Sequence, residues 1–146
     1  MRGARASSAS PRSCGGDLTL PLRSAGLRVV VTGTADEAAL TAHVARGVRG
    51  AIDLAGATSL GVLAALVRDA RLLVCNDTGV SHVAAALRTP SVVVSCGADP
   101  ARFAPLDRAL HEVVHQPAPC RPCAYERCPI GHPCAHDLAP ARVAAR

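Results

Sequence analysis

The chain has 146 residues, enough for one domain with a sizeable core. Hydrophobic residues make up 49% of it, so a folded domain is expected, and the net charge of +5 comes from arginine without any lysine. The arginines are scattered, and Phe103 and Tyr125 are the only aromatic residues. Nucleic-acid binding is therefore not predicted, and no window reaches the ~20 apolar residues of a membrane span.

Residues 1–26 are predicted to be a disordered or unrelated leader. They carry glycine, proline, serine and arginine without regular periodicity, and they contain no apolar stretch of the kind found in secretory signals. The folded domain is expected over residues 27–146.

Two strands and two helices are predicted in the first half of this domain. A β-branched run over 27–32 ends at Gly33 and is typical of a buried strand. A helix should follow from Asp36 to Val48, with acidic residues in its first turn. A short strand over 51–54 and a helix over 59–68 come next.

The same alternation repeats in the second half. A strand over 72–75 leads into a turn at 76–79, a helix over 81–87 and a strand over 90–95. A strand over 111–115 and a terminal helix from Pro140 complete the pattern. Alternating strands and helices imply right-handed crossovers and a parallel sheet, so the predicted fold class is α/β, Rossmann-like.

The turn after the third strand is a candidate anion site. Ligands of open α/β sheets bind at the carboxyl ends of the strands, and free N–H groups at a helix start attract anions. Asp77 could accept hydrogen bonds from sugar hydroxyls, Thr78 and Gly79 lie in the turn, and His82 follows in the first helical turn. From residue type alone, Asp77 could equally be a turn residue and His82 a partly buried histidine.

The segment Leu73–Pro90 resembles the D-T-G-x-x-H-x-A-A-A-L-G-T-P signature of the family 9 glycosyltransferases. These are the ADP-heptose:lipopolysaccharide heptosyltransferases and their relatives. The strand that ends at Gly33, followed by Glu37, and the segment Asp53–Leu60 resemble further elements of that family. In total the resemblance covers about residues 27 to 143.

The resemblance implies the C-terminal, donor-binding half of a GT-B enzyme. By it, Asp77 would contact the sugar, Thr78 and Gly79 the diphosphate, and His82 would support the donor. Glu37 would contact the ribose or base, with Gly33 giving room. The implied reaction is inverting transfer from an ADP-activated, heptose-like sugar to a saccharide or glycolipid acceptor, with no required cofactor.

Two departures from the family pattern bear on activity. Position 88 is Arg where the family has Gly, so the corner after the helix could be altered. The family's N-terminal domain, which carries the acceptor site and the catalytic base, has no counterpart in these residues, so no catalytic residue is identifiable. A non-functional fragment on a Rossmann-like scaffold is therefore an alternative.

A cysteine-rich segment over 120–134 raises a second alternative, a zinc-stabilised binding module. Four thiols within 15 residues could enclose a tetrahedral Zn²⁺, although a single C-x-x-C is only moderately specific. A redox-sensitive or unliganded loop is the competing reading, and Cys14, Cys75 and Cys96 are interpreted as tail or core thiols. The candidate metal ligands are Cys120, Cys123, Cys128 and Cys134.

The resemblance also implies a setting: lipopolysaccharide core biosynthesis in the cytoplasm, at the inner face of the plasma membrane through peripheral association. The residues themselves name neither the sugar nor the acceptor.

Overall fold

The computed structural model describes residues 26–123, 125 and 128–145. The predicted leader lies outside these residues except for Gly26, and so does Cys14. None of the described helices is both long enough and apolar enough to cross a membrane.

Parallel strands alternate with helices throughout, which confirms the predicted α/β, Rossmann-like class. The strands are β1 (Val30–Val31), β2 (Ile52–Asp53), β3 (Leu73–Asn76), β4 (Ser91–Ser95) and β5 (His111–His115). After a 3-10 turn at Ala35–Glu37, the helices are α1 (Ala38–Arg46), α2 (Leu60–Asp69), α3 (Gly79–Leu87), α4 (Pro100–Phe103), α5 (Pro133–His136) and α6 (Pro140–Ala144).

The strands form two sheets rather than the single predicted one. In the first, β1 pairs in parallel with β2. In the second, the order is β3-β4-β5, again parallel, with Val74 opposite Val92 and Val93 opposite Val113. The two strands of the first sheet have only two residues each, fewer than the predicted runs over 27–32 and 51–54.

The core lies on the three-stranded sheet. Val92 and Val114, on adjacent strands, pack with Leu138 and Val143 from the C-terminal segment. A core of valine and leucine without aromatic rings agrees with the aliphatic composition. The C-terminal segment therefore packs on this sheet through Leu138, between α5 and α6, and Val143 in α6.

Side-chain hydrogen bonds define several element ends. The Ser59 hydroxyl accepts from the Val62 N–H at the start of α2, as an N-cap does. The Thr89 hydroxyl donates to the Val67 carbonyl at 2.9 Å and so ties the end of α2 to the chain after α3. Inside the sheet, the Ser91 hydroxyl and His111 Nδ1 lie 2.9 Å apart and both residues are buried.

Candidate functional site

Asp77 extends β3 by one residue at the carboxyl edge of the three-stranded sheet. Its N–H donates to the Val94 carbonyl at 3.1 Å, so the backbone is still held by β4. Its carboxylate accepts from the hydroxyl of Ser95, a fully buried residue, over 3.4 Å. The sheet therefore fixes the carboxylate where ligands of open α/β sheets bind.

The carboxylate of Asp77 is used differently from those of three other aspartates in the chain. Asp53, Asp99 and Asp107 each accept from the backbone N–H two residues later. Within the described part of the chain, the Asp77 carboxylate makes no such bond. The turn-residue interpretation of Asp77 is therefore not what the structure shows, and its carboxylate remains able to meet a ligand.

Helix α3 begins directly after this aspartate. Thr78 occupies the N-cap position in an extended conformation, and its side chain caps no helical N–H. Across residues 26–123, 125 and 128–145, no acceptor pairs with the N–H groups of Gly79 and Val80. These two groups, together with the positive end of the helix dipole, are suited to contact an anion.

The space in front of Gly79 is open. A Cβ built on this residue would meet no atom within 4 Å. By contrast, Ser81 in the same turn is fully buried and donates through its hydroxyl to the Thr78 carbonyl at 2.7 Å. The turn is thus anchored by one face and open on the other.

His82 is exposed on the first turn of α3. The alternative reading of His82 as a partly buried histidine is therefore not what the structure shows. Its ring is free to turn toward a ligand bound at the start of the helix.

The second predicted group, Gly33 and Glu37, lies after β1. Glu37 Oε2 accepts from the N–H of Thr34 at 2.8 Å and from its hydroxyl at 3.0 Å. A Cβ on Gly33 would lie 2.8 Å from Thr41 Cγ2 and 3.2 Å from Glu37 Oε2. Packing against the 3-10 turn and α1 therefore accounts for Gly33, while the ribose contact of Glu37 stays a prediction.

Arg121 is a functional candidate that the sequence reasoning missed. Its guanidinium donates to the carbonyls of Ser95, Cys96 and Gln116 at 3.1, 2.8 and 3.0 Å, and also to that of Ala98. It further reaches the Ser95 hydroxyl at 3.4 Å. Because Ser95 in turn holds Asp77, this arginine orders the loop beside the candidate site and places a positive charge there.

The assignment of the four cysteines of the 120–134 segment as zinc ligands stays a prediction. In the part of the chain that the structure describes, no group of three or more His, Cys, Asp or Glu side chains is arranged to hold a metal ion. Cys128 Sγ accepts from the His132 N–H at 3.0 Å. Desolvation is the main cause that raises the pKa of Cys120 and of Cys134, so both thiols favour the protonated form.

Comparisons with known proteins concern the family and the fold. Residues 16–133 match the model of glycosyltransferase family 9 (heptosyltransferase). The structure is similar to that of E. coli ADP-heptose LPS heptosyltransferase II, with a TM-score of 0.72 and 26% identity over 88% of this chain and 38% of that chain. No curated protein matched.

A second solved structure shows the same fold. It is the glycosyl transferase family 9 protein from Veillonella parvula DSM 2008, with a TM-score of 0.61 and 24% identity over 66% of this chain and 28% of that chain. The chain thus spans less than two fifths of the length of either structure.

Proposed function

The chain belongs to glycosyltransferase family 9, and from that premise we propose that residues 27–145 form a domain that binds a nucleotide-diphosphate sugar, an ADP-activated one as the predicted donor. One observation carries the proposal: at the carboxyl edge of the sheet, an aspartate whose carboxylate is not used by its own turn precedes the open N–H groups of Gly79 and Val80. A sugar hydroxyl can donate to the carboxylate, and a phosphate can accept from the N–H groups.

In this proposal Asp77 accepts hydrogen bonds from the sugar, and the open N–H groups of Gly79 and Val80 donate to the diphosphate. The N–H of Thr78, which the family resemblance also assigned to the diphosphate, already donates to the Asn76 carbonyl at 2.9 Å. His82 donates from the open face of α3, and Glu37 Oε1 is available to the ribose. When the bond to the sugar breaks, negative charge grows on the diphosphate, and the aligned N–H dipoles stabilise it without reorganising.

The wider reaction is proposed on family membership. It is inverting transfer of a heptose-like sugar to a saccharide or glycolipid acceptor, with the acceptor site and catalytic base on polypeptide outside the described residues. The proposed place is the cytoplasmic side of the plasma membrane, in lipopolysaccharide core biosynthesis.

Calorimetric titration of the full chain with ADP tests the donor site. We expect a dissociation constant between micromolar and millimolar, and a loss of at least tenfold in Gly79→Val, because the new side chain fills the open space in front of the helix start. Asp77→Ala should weaken an ADP-sugar more than ADP, since its carboxylate is assigned to the sugar.

Gly61→Val is the matched control. Gly61 also lies in the first turn of a helix, and a Cβ there would meet nothing within 4 Å. The Gly61→Val variant should bind ADP like the wild type. No binding by a folded wild-type chain, or equal losses in the two glycine variants, would contradict the proposal.

A further inference from the structure

The two sheets can be ordered from the positions of their helices. Helix α1 connects β1 to β2 and packs on both, whereas α2 connects β2 to β3 and packs on α3. Among the described residues, α1 and α2 share no comparable packing. Because crossovers are right-handed, two successive helices lie on opposite faces of a sheet when the chain first moves one way across it and then the other. We therefore place β3 on the β1 side of the first sheet, which gives the order β2-β1-gap-β3-β4-β5.

This order is that of a doubly wound sheet, 3-2-1-4-5-6, in which none of the described residues occupies the central position. On β1, the carbonyls of Val29, Val31 and Gly33 accept from the second strand, so the amides of Val30 and Thr32 point away from it. On β3, the N–H groups of Leu73 and Asp77 donate to the chain of β4, so those of Val74 and Asn76 point away.

Apolar side chains border the gap. Val30 on β1 is 40% exposed and Val74 on β3 is 39% exposed, although both lie in runs typical of buried strands. Leu40 and Val44, one turn apart on α1, are exposed as well. Any strand here would have helices on both faces, and such strands are apolar throughout.

We propose that the gap between β1 and β3 is a docking slot for one apolar strand, parallel to both, from polypeptide outside these 146 residues. A parallel neighbour of β1 needs a connection of about a dozen residues or more. Residues 1–16 contain no Val, Ile, Leu or Phe, and Leu18, Leu20 and Leu22 are too close to β1 for such a connection. The much greater length of the two similar structures supports this occupant.

The test adds a strand to the full chain and measures amide hydrogen exchange. A Val-Val-Ile-Val-Val segment is placed ahead of Met1, so that the residues before β1 serve as a crossover of sufficient length. We expect exchange at Val30, Thr32, Val74 and Asn76 to slow at least tenfold. The control replaces the central Ile of the added segment by Pro, which has no N–H to donate and should give no protection.

The outer edges distinguish insertion from nonspecific pairing. The amides of Asp53 on β2 and Val113 on β5 point away from their partner strands and should keep their exchange rates. Equal slowing there, or no slowing at the slot, would overturn the proposal. Slow amide exchange at the slot in the unextended chain would also overturn it. If that slowing did not depend on protein concentration, residues 1–25 would be the occupant, and if it did, a second copy of the chain would be. No nucleotide is present, so this result is independent of the ADP titration.

Discussion

Arg88 ends α3 with a left-handed backbone, at φ 56° and ψ 31°. This conformation costs a residue with a Cβ about 1–2 kcal/mol, and glycine occupies it without that cost. The ion pair of Arg88 with Asp107 spans 3.6 Å between exposed side chains and offsets little of the cost. The Gly of the family pattern, from which this chain departs with Arg88, therefore has a physical basis.

We expect Arg88→Gly to raise the free energy of unfolding by about 1 kcal/mol, measured by urea denaturation. Arg88→Ala is the control, because it removes the same charge and keeps the Cβ. If both variants changed stability equally, the ion pair and not the backbone would decide the effect.

Cys75 precedes the candidate site by two residues, and burial, followed by the nearby Asp77 carboxylate, raises its pKa to about 11. A raised thiol pKa means that the unreactive protonated form dominates at neutral pH. We expect alkylation of Cys75 at pH 8 to be about a hundredfold slower than for an ordinary thiol.

The pH dependence of that alkylation reports on Asp77. In Asp77→Asn the rate should rise at lower pH than in the wild type, because a nearby negative charge has been removed. Asp99→Asn is the control, and mass spectrometry of the Cys75 peptide gives the rate. An unchanged pH profile in Asp77→Asn would mean that the carboxylate does not act on the thiol.

At the scale of elements, the C-terminal segment stabilises the sheet through Leu138 and Val143. Leu138 is 8% exposed within the core cluster, whereas Leu106 is 99% exposed. We expect Leu138→Ala to lower the free energy of unfolding by about 2–4 kcal/mol, since it leaves a cavity. Leu106→Ala should change it by less than about 0.5 kcal/mol. Similar losses in both would place the core elsewhere.

Most elements could be predicted because their signals are local. The β-branched residues of β4 and the small-residue helix α3 were recognisable in the sequence, and Ser59 was correctly expected to cap α2. The short helices α4 and α5 were not predicted, although Pro100 and Pro133 are typical of a first helical turn. Strands β1 and β2 are shorter than predicted, since strand length depends on neighbours that a local pattern does not contain.

The candidate site was predictable only in part, for the same reason. Asp77 and Gly79 follow one another in the chain, so a motif reveals them. Arg121 contacts Ser95 across 26 positions, and only the folded chain brings them together. Glu37 Oε2, by contrast, accepts twice from Thr34 three residues earlier, and this spacing is that of a capping box, which a local pattern can reveal.

At the scale of the whole molecule, the described residues form a helix-flanked α/β arrangement whose two sheets border a central position that none of these residues fills. The core cluster belongs to the three-stranded sheet, while β1 and β2 are short and largely exposed. The candidate donor site lies at the edge of the better-packed sheet. Binding there therefore depends on the part of the molecule that its own core stabilises.

The central position proposed to receive a strand has a consequence for the life of the protein in a cell. Apolar surface and unpaired strand edges that wait for a partner are the features that chaperones and proteases recognise in incompletely folded chains. The chain is thus most exposed to degradation between its synthesis and the arrival of the strand. The abundance of the chain should therefore follow the supply of that strand.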